Sequence, residues 1–112
     1  MTVHIEDAAQ VVTLLDAAGK VGAGDWFAVP TSRPRRAIQA VVSAPTAANS
    51  AAASIAIEAS NDAAHPLPLA TIDLSGSNPQ TDGVLIDSEW VYVRARVVSV
   101  DAGASVTVTM GI

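Results

Sequence analysis

The stretch that most restricts what this chain can fold into is residues 90–100, Trp90-Val-Tyr-Val-Arg-Ala-Arg-Val-Val-Ser-Val100. Five of these residues are valine. β-Branched side chains crowd the preceding turn of a helix but pack well on a pleated surface, so the run predicts one long β-strand. Side chains alternate along a strand, which sends Val91, Val93, Ala95 and Val97 to one face and Trp90, Tyr92, Arg94 and Arg96 to the other. A small apolar face backed by an aromatic and arginine face suits a sheet with one side on the core and one on water or a partner.

The rest of the chain reads the same way. Residues 2–7 alternate and predict an edge strand or an N-terminal arm. Residues 8–18 are apolar-dense, but the Val-Val-Thr cluster and the glycine-rich exit favour a strand over a helix. Residues 16–24, with Gly19, Gly22 and Gly24, read as a loop, and 25–29 as a short strand stopped by Pro30. In 35–43, Ile38, Ala40 and Val42 share a face. Residues 44–53 are a small-residue linker. Residues 54–59 form a strand with Ile55 and Ile57 inward and Glu58 outward, and Ser60-Asn61-Asp62 has the short polar side chains of a turn. Strands follow at 69–75 (Ile72 and Leu74 on one face), 84–86, 90–100 and 104–111, with 76–83 read as a loop and 101–103 as a turn. The last two strands look like a hairpin. Seven to eight strands, with turn signals at roughly 8–12-residue intervals, predict an all-β, antiparallel β-sandwich of jelly-roll or Greek-key type. The expectation is one domain over residues 1–112, with 1–8 as its arm or edge strand.

Composition narrows function by exclusion. The net charge is −5 and Lys20 is the one lysine, a balance that argues against binding nucleic acid through its phosphates. There is no cysteine, so disulfides and thiolate metal sites are excluded. No apolar run is long enough for a membrane-spanning helix, and the first residues have no basic start or apolar stretch of a secretory signal, so an intracellular origin is expected. Half the residues are apolar, but many are alanine and valine and few are aromatic. Such a core is thin, and an oligomer or larger assembly would complete it.

No catalytic constellation stands out, and the chain reads as a non-enzyme without a cofactor motif. His65 follows Ser60-Asn61-Asp62, which raises a Ser/His/Asp group, but no nucleophile elbow accompanies it. Asn61-Asp62 and Asp82-Gly83 are turn residues that could ligate calcium, without an EF-hand pattern. The residues proposed for partner contact are the basic group Arg33, Arg35 and Arg36, the aromatic Trp26, and His4 and Ile5 of the N-terminal segment. Arg94 and Arg96, beside Tyr92 and Trp90, either pair across strands with Asp and Glu or form a stacking platform. Trp26 is either an exposed anchor or a core plug.

Four stretches in order resemble small virion proteins of tailed bacteriophages. They are Ile55-Ala-Ile-Glu-Ala-Ser-Asn-Asp62, Leu69-Ala-Thr-Ile-Asp-Leu-Ser75, Trp90-Val-Tyr-Val-Arg-Ala-Arg-Val97 and Ala104-Ser-Val-Thr-Val-Thr-Met-Gly-Ile112, joined by Gly24-Asp-Trp-Phe27. The pattern is similar to head decoration, or cement, proteins and related β-sandwich virion proteins. That resemblance implies a structural protein on the capsid exterior of the virion, made in the bacterial host cytoplasm. It would stabilise the lattice of the phage major capsid protein and assemble with itself as a dimer or trimer. It carries no active-site residues to transfer. Ala59 and His65-Pro66 stand where many such proteins have glycine and tryptophan around the Ser-Asn-Asp turn. Other virion positions (tail tube, head–tail connector, fibre base) and a carbohydrate-binding sandwich using Trp26, Trp90 or Tyr92 are the alternatives.

Overall fold

The computed structural model describes residues 11–29, 35–44, 52–74, 80–87 and 90–111. These form nine strands: β1 (Val11–Ala18), β2 (Gly22–Ala23), β3 (Phe27–Ala28), β4 (Arg35–Ser43), β5 (Ala53–Ser60), β6 (Leu67–Leu74), β7 (Gln80–Asp87), β8 (Tyr92–Val100) and β9 (Ser105–Gly111). All described pairings are antiparallel. One sheet has the order β1-β9-β4-β7 and the other β2-β8-β5-β6, with β3 also on β8. Since β2 and β3 are short pieces laid along the same neighbour, they act as two halves of one broken strand. Eight effective strands then alternate between sheets in the order of a jelly roll, a double-sheet sandwich of two Greek keys.

The core lies between the sheets and follows from period-two patterning. In β4, Arg36, Ile38, Ala40 and Val42 are buried while the residues between them are exposed. In β9, Val106, Val108 and Met110 are fully buried; they face Ile55 and Ile57 of β5, Ile72 and Leu74 of β6, and Val93, Ala95 and Val97 of β8 in one apolar cluster. Its largest fully buried side chains are all aliphatic or methionine, apart from the smaller Ser60, so the thin core expected from the composition is what the sheets enclose. Each large aliphatic side chain withdrawn from water contributes roughly 1.5–3 kcal/mol. β5 differs from its neighbours in being buried on both faces over Ile55–Ser60.

Several expectations are corrected. β8 and β9 do not form a hairpin: β8 pairs with β2, β3 and β5, and β9 with β1 and β4. The turn at 101–103 instead carries the chain from one sheet to the other. It is fastened by the Asp101 N–H donating to the Ala52 carbonyl (2.9 Å), the Ala52 N–H donating to Asp101 Oδ2 (2.9 Å), and the Ala104 N–H donating to the Asp101 carbonyl (3.0 Å). Two strands with one apolar face each can bury those faces against each other across the core as well as side by side, and local sequence does not distinguish the two. β5 and β6 are the consecutive strands that do pair as a hairpin. β7 begins at Gln80, inside the segment expected to be a loop, because a continuous ladder with β4 from Arg35↔Asp87 to Val42↔Gln80 outweighs the poor strand propensity of Asp82 and Gly83. β2 likewise falls within the glycine-rich loop, and β8 starts two residues later than expected. β6 begins at Leu67 and accommodates Pro68 because it is an edge strand. The arm or edge strand at 1–8 lies outside the described residues, as do most of the 44–53 linker and residues 76–79 of the segment expected to be a loop.

The β1 strand carries two register shifts against β9, one at Thr13/Leu15 and one at Leu15/Ala18. The shifts turn both Leu14 and Leu15 inward and place Ala17 at φ 51°, its N–H donating to Thr107 Oγ1 (3.1 Å). Against this bulged strand packs the bend between β2 and β3. Gly24 is needed there: a Cβ would sit 2.4 Å from the Leu14 carbonyl oxygen and 2.9 Å from Leu15 Cδ2. The Gly24 N–H donates to the Ala95 carbonyl (2.8 Å), which fixes the bend to β8. Gly24→Ala is therefore expected to destabilise the protein by about 1–3 kcal/mol, as overpacking does. Gly19→Ala, whose nearest contact would be an ordinary 3.5 Å, is expected to be close to neutral. Urea-unfolding midpoints of the two variants check this, and equal midpoints would contradict the packing described.

Candidate functional site

Among the described residues, aromatic and charged side chains gather on the outer face of the five-stranded sheet. It is built on the β5–β8 register, in which Glu58 pairs with Arg94, Ala56 with Arg96 and Ser60 with Tyr92. Alternation along β8 puts Tyr92, Arg94 and Arg96 on this face, as the sequence predicts. The Glu58 carboxylate accepts from both arginines, Arg94 Nε at 2.8 Å on Oε1 and Arg96 Nε at 3.1 Å on Oε2. Glu58 is 6% exposed, so a carboxylate that would be costly to bury alone has both oxygens occupied by cations. The bend after β2 lays Trp26 onto the same group. The Arg94 guanidinium carbon lies 4.3 Å from the Trp26 ring centroid, and the Trp26 and Tyr92 rings meet edge to face with centroids 6.5 Å apart.

This arrangement resolves two open readings. Arg94 and Arg96 pair across the sheet with a carboxylate. Trp26 is not a core plug but a half-buried ring laid over an arginine. Glu58 is the member that sequence reasoning passed over. It was placed outward on its strand, which is right, but only the inter-strand register shows that one carboxylate serves two arginines two residues apart.

A second polar cluster caps the β5–β6 hairpin. Asp62 Oδ1 accepts from the Ser60 hydroxyl (2.7 Å) and from the N–H groups of Ala64 (2.9 Å) and His65 (3.0 Å), while His65 Nδ1 lies 2.7 Å from Asp62 Oδ2. The Ser60 oxygen in turn accepts from the N–H groups of Asp62 and Ala63, both at 3.1 Å. Ser60, Asp62 and His65 thus come together, but with the carboxylate in the middle. In hydrolytic triads the histidine sits between serine and carboxylate and takes the serine proton. Here the carboxylate, not the histidine, holds the Ser60 hydroxyl, and the cluster does the work of a turn. It holds Ala63 at φ 58°, a backbone region that costs an alanine roughly 1–2 kcal/mol. The Asn61 side-chain oxygen accepts from the Val91 N–H (3.2 Å), which ties this turn to the entry of β8.

The residues proposed for partner contact fare differently. Arg35 is exposed at the start of β4, 3.8 Å from Asp87 across the β4–β7 ladder. Arg36 is 3% exposed and points to the opposite side of the strand, so it shares no surface patch with Arg35. Adjacent strand residues cannot face the same way, and the basic trio read from sequence is split by strand geometry. Arg33, His4 and Ile5 lie outside the described residues. Among the turn residues considered for calcium, the Asp62 oxygens are engaged by loop donors and Asp82 Oδ1 accepts from the Gly83 N–H (2.7 Å). Among the described residues no three His, Asp or Glu side chains converge. A cleft of about 390 Å³ lies beside Trp26 and Phe27, walled by Leu14 and Leu15 and edged by Asp16 and Asp25.

The hydrogen bonds to Asp62, the Ser60 hydroxyl first and then the loop donors, hold its carboxyl well below the usual carboxylate range. A depressed folded-state value means that its contribution is complete above about pH 4 and is lost as pH falls toward the folded value. Asp62→Asn is expected to flatten the acid-side fall of the urea midpoint relative to wild type; parallel profiles would contradict the assignment. No known protein family, curated protein or solved structure matches the chain.

Proposed function

We propose that this chain is a non-enzymatic structural protein of a tailed-bacteriophage virion that binds the outer surface of the capsid and stabilises the lattice of the major capsid protein. The observation that carries this reading is the jelly-roll sandwich itself, an architecture that recurs in viral capsid domains. The ordered set of strand motifs that resembles head decoration proteins falls on β5, β6, β8 and β9 of that sandwich. The chemistry of the outer sheet faces supports a surface made for packing rather than turnover. Arginines and carboxylate are spent on one another on one face, and the other face carries its charges, Arg35 and Asp87, as an opposed pair at the rim. A protein that binds the assembled lattice but not its free subunits stabilises the shell by mass action, and many copies multiply a modest interface.

A second reading has one observation in its favour. Trp26 is half-buried, not covered, and it borders the cleft edged by Asp16 and Asp25. Aromatic rings beside carboxylates suit sugar binding, and lectins also use jelly rolls. Loss of glycan binding in Trp26→Ala would favour that alternative.

The deciding experiment measures this chain against the major capsid protein in purified particles of the phage that encodes it. A ratio near one, or a simple fraction of one, together with lower heat resistance of particles lacking it, is expected. A ratio of a few per cent would move the protein to the tail, connector or fibre base, and absence from particles would remove the virion reading.

A further inference from the structure

The outer face of the four-stranded sheet is organised in rows that cross all four strands. One row is Val11, Gly111, Ala37 and Leu85: Val11 pairs with Gly111, Ala37 pairs with Leu85, and the β4–β9 register, extended one step from Ile38↔Met110, sets Ala37 opposite Gly111. The next row is Thr13, Thr109, Gln39 and Gly83. Beyond it lie Thr107, Val41 and Thr81. No residue in these rows is charged, and the rim carries the opposed pair Arg35 and Asp87. Val11, Leu85 and Val41 on this face are 64%, 60% and 36% exposed. Two of the polar groups are already satisfied within the sheet. The Thr81 hydroxyl accepts from Gln39 Nε2 and donates to the Ala40 carbonyl, both at 3.0 Å, and Thr107 Oγ1 accepts from the Ala17 N–H. Covering the Thr81 hydroxyl would therefore strand no unmet donor.

Leu85 is a knob, and two residues earlier on the same strand Gly83 leaves a hole. A shallow recess of about 470 Å³ lies at Gly83, lined by Ala37, Gln39, Thr81, Asp82 and Leu85. A knob and a hole side by side on one strand are self-complementary under a two-fold rotation. With the axis in the interface, running across the strands at the level of Val84, Leu85 of each copy meets Gly83 of the other. The same operation sets Ala37 against Gln39 and Gly111 against Thr109. A short residue then meets a longer one at each of these positions, which is how packed sheets interdigitate.

We propose that this face is the interface between two copies of the chain, packed face to face about such an axis. Four strands at about 4.8 Å spacing and eight residues at about 3.4 Å make roughly 500 Å² in projection on each copy, which just reaches the ~1,000 Å² total that a specific interface should clear, with the Arg35–Asp87 pair of each copy at the margin over Val41 and Thr81 of the other. Two chains of net charge −5 repel each other, and an uncharged face is where they can approach. Pairing through sheet edges is the less favourable route, because the edges are guarded. β1 is bulged twice, Pro68 interrupts β6, β2 and β3 are two residues each, and on β7 Asp82 stands exposed on the core-facing side. The interface rests on the geometry of this sheet and does not depend on the virion reading.

Sedimentation equilibrium of the full chain from micromolar to millimolar concentration tests it. The wild type is expected at twice the 11.4 kDa chain mass. Leu85→Lys and Val11→Lys, both at open positions that the fold tolerates, are each expected to weaken the dimer at least about tenfold by placing charge in an apolar contact. Leu67→Lys, at a 46% exposed position on the other sheet, is expected to leave it intact. A wild type that stays monomeric throughout, or a dimer that neither interface variant weakens, overturns the proposal.

Discussion

The Glu58 carboxylate sits in the middle of the five-stranded sheet, on a strand buried on both faces, and much of the structure follows from how it is held. An isolated buried carboxylate would cost several kcal/mol, so the site requires cations at fixed positions. Arg94 and Arg96 supply them from the adjacent strand, two residues apart and therefore on one face. This fixes the β5–β8 register. A slip of one residue would drive Glu58 into the core and expose Ile55 and Ile57. β8 also carries β2 and β3, and the bend between them is held by Trp26 on Arg94 and by Gly24 against β1. The polar outer layer and the apolar inner layer thus specify the same alignment, which is the agreement between levels expected of a chain with one native arrangement.

The two outer faces have divided the polar chemistry between them. On one, aromatic, cationic and anionic groups are satisfied by their neighbours, which leaves little charge to recruit a partner. On the other, the described rows hold threonine, alanine, valine, glycine, leucine and glutamine, with the charges at the rim. The proposed structural role would draw on the shape and area of these faces.

Much of the fold was legible in residue alternation. The inward sets Ile38/Ala40/Val42, Ile55/Ile57, Ile72/Leu74, Val93/Ala95/Val97 and Val106/Val108/Met110 all face the core as the period-two pattern predicts. What was not legible is relational. The 101–103 turn has the chemistry of a hairpin turn, but it joins sheets. Gly83 and Asp82 have the chemistry of a loop, but a long ladder with β4 makes them strand. Of the candidate residues, Trp26 joins the aromatic and arginine cluster, whereas Arg35 and Arg36 are parted by the same alternation that places the inward sets. Glu58 could be placed outward from its position in the strand. Its partners depend on register between segments more than thirty residues apart, which propensity and spacing do not encode.

The most direct test of this account is a double-mutant cycle at the centre of that sheet. Glu58→Gln, Arg94→Met and the double variant would be compared with wild type by urea unfolding. The pairing described predicts that the single costs fail to add, with a coupling of about 1–3 kcal/mol between the two positions. Additive costs with a coupling near zero would mean that the buried carboxylate does not hold β5 and β8 in register, and would contradict the account at its foundation.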